Sequence, residues 1–233
     1  MSNEVVLHPA IEAGTEQRSE FLRAVALWTF GGLSITAVVS LLSAMFIAPA
    51  VLRNWVASLL VIYGSMILSQ TLARRMVYGT SKVGGFVLGT AAQGVALGFL
   101  LFIAAFGAGD TGQGFQIIGY ALAMTVLSTL AMLVYVTNEK HEFSMLRAGL
   151  SMVFLPMLLL MGLQLVFPIG GTLGVVIAVV FVAVSVGSML YKLNFVVHSM
   201  STNMAMEGGY ELTLGIVVLF WNVLSLLLRL RRR

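Results

Sequence analysis

Two ionisable side chains that share a depth inside an apolar hairpin could act as a latch, and Lys192 and Glu211 have that spacing. The apolar run Val175–Tyr191 stops at Lys192, and a second run, Tyr210–Leu228, follows a polar link of roughly Ser199 to Gly208 centred near Asn203. If both runs are helical and antiparallel, Lys192 faces the level of Gly215, about 10 Å into the membrane at ~1.5 Å rise per residue. Glu211 lies one turn before Gly215 on the same face, and Glu207 lies nearby in the link. A carboxylate beside an ammonium keeps its charge more easily, so the pair could gate a path. Ionisable groups at membrane depth are costly, which makes them candidates for function. The plainer reading is an interfacial ion pair, or a lysine that extends its stem outward to water.

Four further polar residues, Gln70, Gln93, Gln164 and Asn222, fall within or near apolar runs. Each could line a route for ions or water, or tie neighbouring helices by hydrogen bonds. Other motifs dissolve on context. Gly107-Ala-Gly109-Asp-Thr-Gly112 matches G-x-G-x-x-G but follows an apolar run where a dinucleotide site needs a strand. His141-Glu142 opens like a zinc-protease motif, yet Met145 stands where the second histidine belongs. With no cysteine, thiolate and disulfide chemistry are excluded. No serine elbow or Walker sequence occurs, so neither an enzyme nor a metal or other cofactor is expected.

The elements that position these residues are membrane helices. Of 233 residues, 59% are apolar and 9% charged, and mean hydropathy is +1.00. Soluble domains carry about a quarter charged residues, so this is the composition of an all-α polytopic membrane protein. Residues 1–22 form a polar leader too poor in apolar groups to order itself, with no cleavable signal. Residues 23–233 are expected to form one domain of seven spans: Ala24–Ile47, Trp55–Ala73 (stopped by Arg74-Arg75), Gly85–Phe106, Phe115–Val136, Phe143–Phe167 with Pro156 as a kink, then the two runs of the hairpin.

Arg18, Arg23, Arg74, Arg75, Lys82, Lys140, Arg147 and Lys192 fall on one side of these spans, against Arg53 on the other. The bias puts the N-terminus in the cytoplasm, with a bacterial inner (plasma) membrane the simplest home. The tail Arg229-Leu-Arg-Arg-Arg233 objects, since seven crossings place it outside. Either the loops outvote it, or the last segment dips in and returns. The net charge of +4 reflects scattered membrane-flanking residues, so nucleic acid is not an expected partner. Gly85-x-x-x-Gly89 and Gly94-x-x-x-Gly98 offer either a dimer face or a close seam within the bundle.

Phe21-Leu-Arg-Ala-Val25 leading into Gly32-Leu-Ser-Ile-Thr-Ala-Val38, Gly94-Val-Ala-Leu-Gly98, Thr137-Asn-Glu-Lys-His-Glu-Phe-Ser144 and Ile216-Val-Val-Leu-Phe220 together resemble the Bax-inhibitor family of multipass membrane proteins. The resemblance implies a seven-helix bundle with the last helix central and a calcium-leak or ion-permeation activity regulated by pH. That regulation rests in the family on two aspartates, whose positions here are Lys192, after Tyr191, and Gly215. Two carboxylates can share a proton and attract Ca²⁺, whereas a lysine and a glycine do neither. Two expectations follow. One is a non-catalytic membrane subunit or regulator without the acidic sensor, bound to a larger membrane complex or to a membrane protease; the resemblance implies the latter, since bacterial members of the family are associated with such a protease. The other is a calcium or cation leak gated near Lys192 and Glu211.

Overall fold

The computed structural model of the chain describes residues 14–106, 111–138 and 171–231, and these are helical apart from short connections. Helix α1 (Thr15–Leu42) runs through a π-helical turn at Ser43–Ile47 into α2 (Ala48–Val51). Helix α3 (Trp55–Leu68) passes likewise through Ser69–Ala73 into α4 (Arg74–Val77). Then come α5 (Lys82–Phe106), α6 (Thr111–Asn138), α7 (Gly171–Asn194) with a closing π turn at Phe195–Ser199, and α8 (Ala205–Arg231). Lipid offers backbone groups no partners, so apolar runs of this length satisfy themselves as helices. Asn54 starts α3 by accepting from the amides of Val56 and Ala57 at 3.1 and 3.3 Å.

Among the described residues, six helical stretches are long and apolar enough to cross a bilayer: Glu16–Val51, Trp55–Val77, Lys82–Phe106, Gly112–Asn138, Gly171–Ser199 and Ala205–Arg231. The span expected at 143–167, with Gln164 in it, lies outside the described residues. Part of the expected polar leader is helical: α1 begins at Thr15, because Phe21 and Val25 are buried against Val196 and Met200 and so anchor its first turns. The second helix also continues past Ala73, carrying Arg74 inward rather than stopping at it.

The last helix shares the centre of the bundle. More than half of the apolar window is buried in both α5 (61%) and α8 (56%), against 28% or less in every other stretch. Small residues explain the position of α5. A Cβ on Gly94 would lie 2.8 Å from the Thr36 carbonyl oxygen, and one on Gly98 2.6 Å from that of Ser40, so α1 packs there against bare backbone. Gly85 faces α4 in the same way, and Gly89 faces the Tyr210 ring. These glycines therefore form seams within the chain. Helix α8 is continuous for 27 residues, about 40 Å, which exceeds the ~30 Å hydrocarbon core. Arg229 donates to the Gly174 carbonyl (3.2 Å) and Arg231 to Gln113 Oε1 (2.8 Å), so α8 ends level with the starts of α6 and α7.

Candidate functional site: two buried carboxylates at one end of the bundle

Glu207 and Glu211 sit four residues apart on α8, one above the other, and both are buried. Isolated carboxylates at such sites would be prohibitively costly, so their partners define the site. Glu211 Oε1 accepts from Arg74 Nε at 2.7 Å, and its Oε2 lies 3.2 Å from Lys192 Nζ. The same ammonium reaches the Glu211 carbonyl at 3.4 Å, and the Tyr78 hydroxyl lies 3.4 Å from Oε1. The Arg74 guanidinium stands 5.9 Å over the Tyr78 ring. Glu207 is held by Lys82 Nζ at 2.5 Å. Each cation comes from a different element: Arg74 from α4, Lys82 from α5 and Lys192 from α7. Among the described residues, three cations against two carboxylates leave one positive charge in excess.

Tyr78 follows the second span. Partial burial, and after it the neighbouring Glu211 charge, push its phenol up to about 12, so it stays a donor at neutral pH. Gly215 stands opposite Lys192 across the hairpin: a Cβ there would be 3.3 Å from Lys192 Cδ and 2.6 Å from Met189 Sδ. The tight fit leaves no room for an acidic side chain at 215 while Met189 and Lys192 hold their places.

Deeper in the bundle a second, uncharged network begins next door to Glu211. Tyr210, fully buried, donates to the Ser69 carbonyl at 2.6 Å, and Ser69 Oγ donates to Gln93 Oε1 at 2.9 Å. Ser69 opens a π turn, whose widened register frees backbone carbonyls for such bonds. Gln93 is thus an inter-helix tie. Gln70, one residue on from Ser69, is exposed and joins neither network. Asn222 is half-buried near the other end of α8, in a cleft far from the carboxylates.

Sequence reasoning did not bring Arg74, Tyr78 or Lys82 to the carboxylates. Arg74 read as a stop signal and Lys82 as a flanking charge. The available signal was the count of buried acids, since each must find a cation.

Fold and site together define a multipass α-helical membrane protein whose last helix carries buried, cation-paired carboxylates. The family model described as "Inhibitor of apoptosis-promoting Bax1" (Bax1-I) matches residues 18–233, and the chain belongs to that Bax inhibitor family. A comparison with curated proteins found no match.

Proposed function

We propose that this protein is a non-catalytic membrane subunit or regulator, bound to a larger membrane complex or membrane protease, whose acidic site is held by its own cations. The observation that carries the reading is the double pairing of Glu211 by Arg74 and Lys192. Ca²⁺ takes six to eight oxygen ligands, and here the carboxylate oxygens already face tethered cations under a net positive charge. A divalent ion would have to displace both. We place the Glu211 end on the cytoplasmic side of a bacterial inner membrane, following the excess of Arg and Lys there.

A second reading, a cation leak, is favoured by one feature. Lys192 spans the hairpin to reach both a carboxylate and a backbone carbonyl of α8, so a shift of α7 against α8 would break it. Liposomes holding the pure protein and a Ca²⁺ dye, compared at neutral and acid pH, separate the two. The regulator reading expects no flux at either pH and a partner that stays bound through mild-detergent purification. Flux that rises in Lys192→Ala would replace it with the leak.

A further inference from the structure

We propose that the cleft between α3, α7 and α8, at the opposite end from the carboxylates, binds an uncharged lipid with a small hydroxyl- or carbonyl-bearing head. The cleft has a volume of ≈ 150 Å³. Tyr63 lines it from α3, Phe181 from α7, and Trp221, Asn222 and Ser225 from α8. Asn222 and Ser225 are three residues apart and so share one face of α8. Among the described residues, the Tyr63 hydroxyl, the Asn222 amide and the Ser225 hydroxyl make no side-chain hydrogen bond. Each of the three groups can both donate and accept. Two walls of the cleft thus carry neutral polar groups without partners, which is costly where lipid supplies none.

Charge and depth together select the ligand. Arg229, at the rim, is already engaged, donating to the Gly174 carbonyl at 3.2 Å, so the site offers no uncommitted cation to an anion. Seven residues at ~1.5 Å put Asn222 about 10 Å deeper than Arg229, which lies level with the start of α7. To present an oxygen at that depth, a phospholipid must draw its phosphate toward the hydrocarbon, and burying a charge is expensive. An uncharged lipid has no such anchor. Its head can sink to the amide while its chain lies along Phe181 and Trp221, whose rings offer a broad apolar surface. Water would satisfy the three polar groups but gains nothing from those rings. Two sources share the required chemistry: a diacylglycerol, with one hydroxyl and two esters, and a membrane quinone, with ring carbonyls. The inference is independent of the regulator reading, since it uses neither glutamate.

The chain has three tryptophans, so Trp28→Phe with Trp55→Phe leaves Trp221 as the reporter. In phosphatidylcholine vesicles this chain is titrated with brominated-chain diacylglycerol, or with ubiquinone, whose ring quenches indole directly. One of the two should reach half-quenching at about fivefold lower mole fraction than it does after Asn222→Leu, the worth of one net hydrogen bond. Which of them shows the shift names the source. Brominated phosphatidylcholine and brominated phosphatidylglycerol should give the same curves with and without Asn222→Leu. No shift for either uncharged lipid, as water alone in the cleft predicts, or an equal shift for phosphatidylglycerol would overturn the site. Trp28 packs edge-on against Phe86, so a second measurement keeps all three tryptophans. In micelles, the lipid so identified should raise the unfolding midpoint of the unaltered chain and leave that of Asn222→Leu unmoved. An equal rise in both chains would count against the proposal.

Discussion

The two ends of α8 treat polar groups in opposite ways. At its start, Glu207 and Glu211 are buried and met by Arg74, Lys82, Lys192 and Tyr78 from three other parts of the chain. Toward its finish, Asn222 and Ser225 face an open cleft, while Arg229 and Arg231 tie the end to α7 and α6. One helix thus carries a closed polar site and an open one. At the closed site each bond is made to the chain itself, so its polar groups specify which helices pack and in what register. A buried ion pair is weak evidence for stability against an apolar substitute, but removal of one partner is strongly destabilising. Among the described residues, Asn222 and Ser225 have no such partner to orphan.

The largest effect should therefore follow from Glu211→Ala, which leaves Arg74 and Lys192 facing each other without a counter-charge. We expect a loss of about 3 kcal/mol, the low end for a broken buried pair because Arg74 is half exposed. Unfolding in detergent, followed by helical circular dichroism, measures it. Asn222→Leu, run alongside, should be neutral or slightly stabilising in lipid-free micelles. Similar losses in both would erase the distinction between the two ends.

Next in size is Gly89→Ala. The added Cβ would overlap the Tyr210 ring, with Cζ only 2.7 Å away, and Tyr210 is packed on every side. Relief means breaking the bond to Ser69 or separating α5 from α8, an overpacking cost of about 2 kcal/mol. Gly64, which has open space around its Cβ position, is the control, and Gly64→Ala should be stable.

A smaller coupling, on the order of 1 kcal/mol, should appear in the charge swap. Lys192→Glu destabilises by placing two carboxylates together, and adding Glu211→Lys should recover part of the loss. Recovery stays incomplete because Arg74 would then meet a lysine at 211. No recovery at all would mean that Lys192 and Glu211 are not energetically paired.

What the sequence discloses about this comparison depends on range. Hydropathy alone marks the membrane helices, since ~20 apolar residues have few other uses. The short link between α7 and α8 fixes depth, so the levels of Lys192, Glu211 and Gly215 can be estimated by counting. Counting along a hairpin says nothing about a third or fourth helix, however. Arg74 reaches Glu211 from a short helix that continues the second span beyond a π turn at Ser69–Ala73, and no residue type there announces it. The same turn explains why Ser69 meets Gln93 while Gln70 faces outward. Central placement of α5 was visible only as glycine spacing, which is equally compatible with a dimer seam until the facing helix is known.

The finest test of the closed end is Tyr78→Phe. Phenylalanine keeps the ring beneath Arg74 and loses only the hydroxyl, 3.4 Å from Glu211 Oε1, so the loss at neutral pH should stay under about 1 kcal/mol. The alkaline limb sharpens the assignment. With a phenol raised from 10.0 to about 12, the folded chain holds this proton more tightly than the unfolded chain does. Its contribution is complete below pH 10 and is lost as pH climbs through 12. Tyr78→Phe should therefore flatten that part of the stability profile, while Glu211→Ala should shift it by removing the charge that opposes phenolate formation. If Tyr78→Phe proves as damaging as Glu211→Ala, the hydroxyl rather than the cations holds the carboxylate, and the contrast between the two ends of α8 rests on a hydrogen bond instead of on charge.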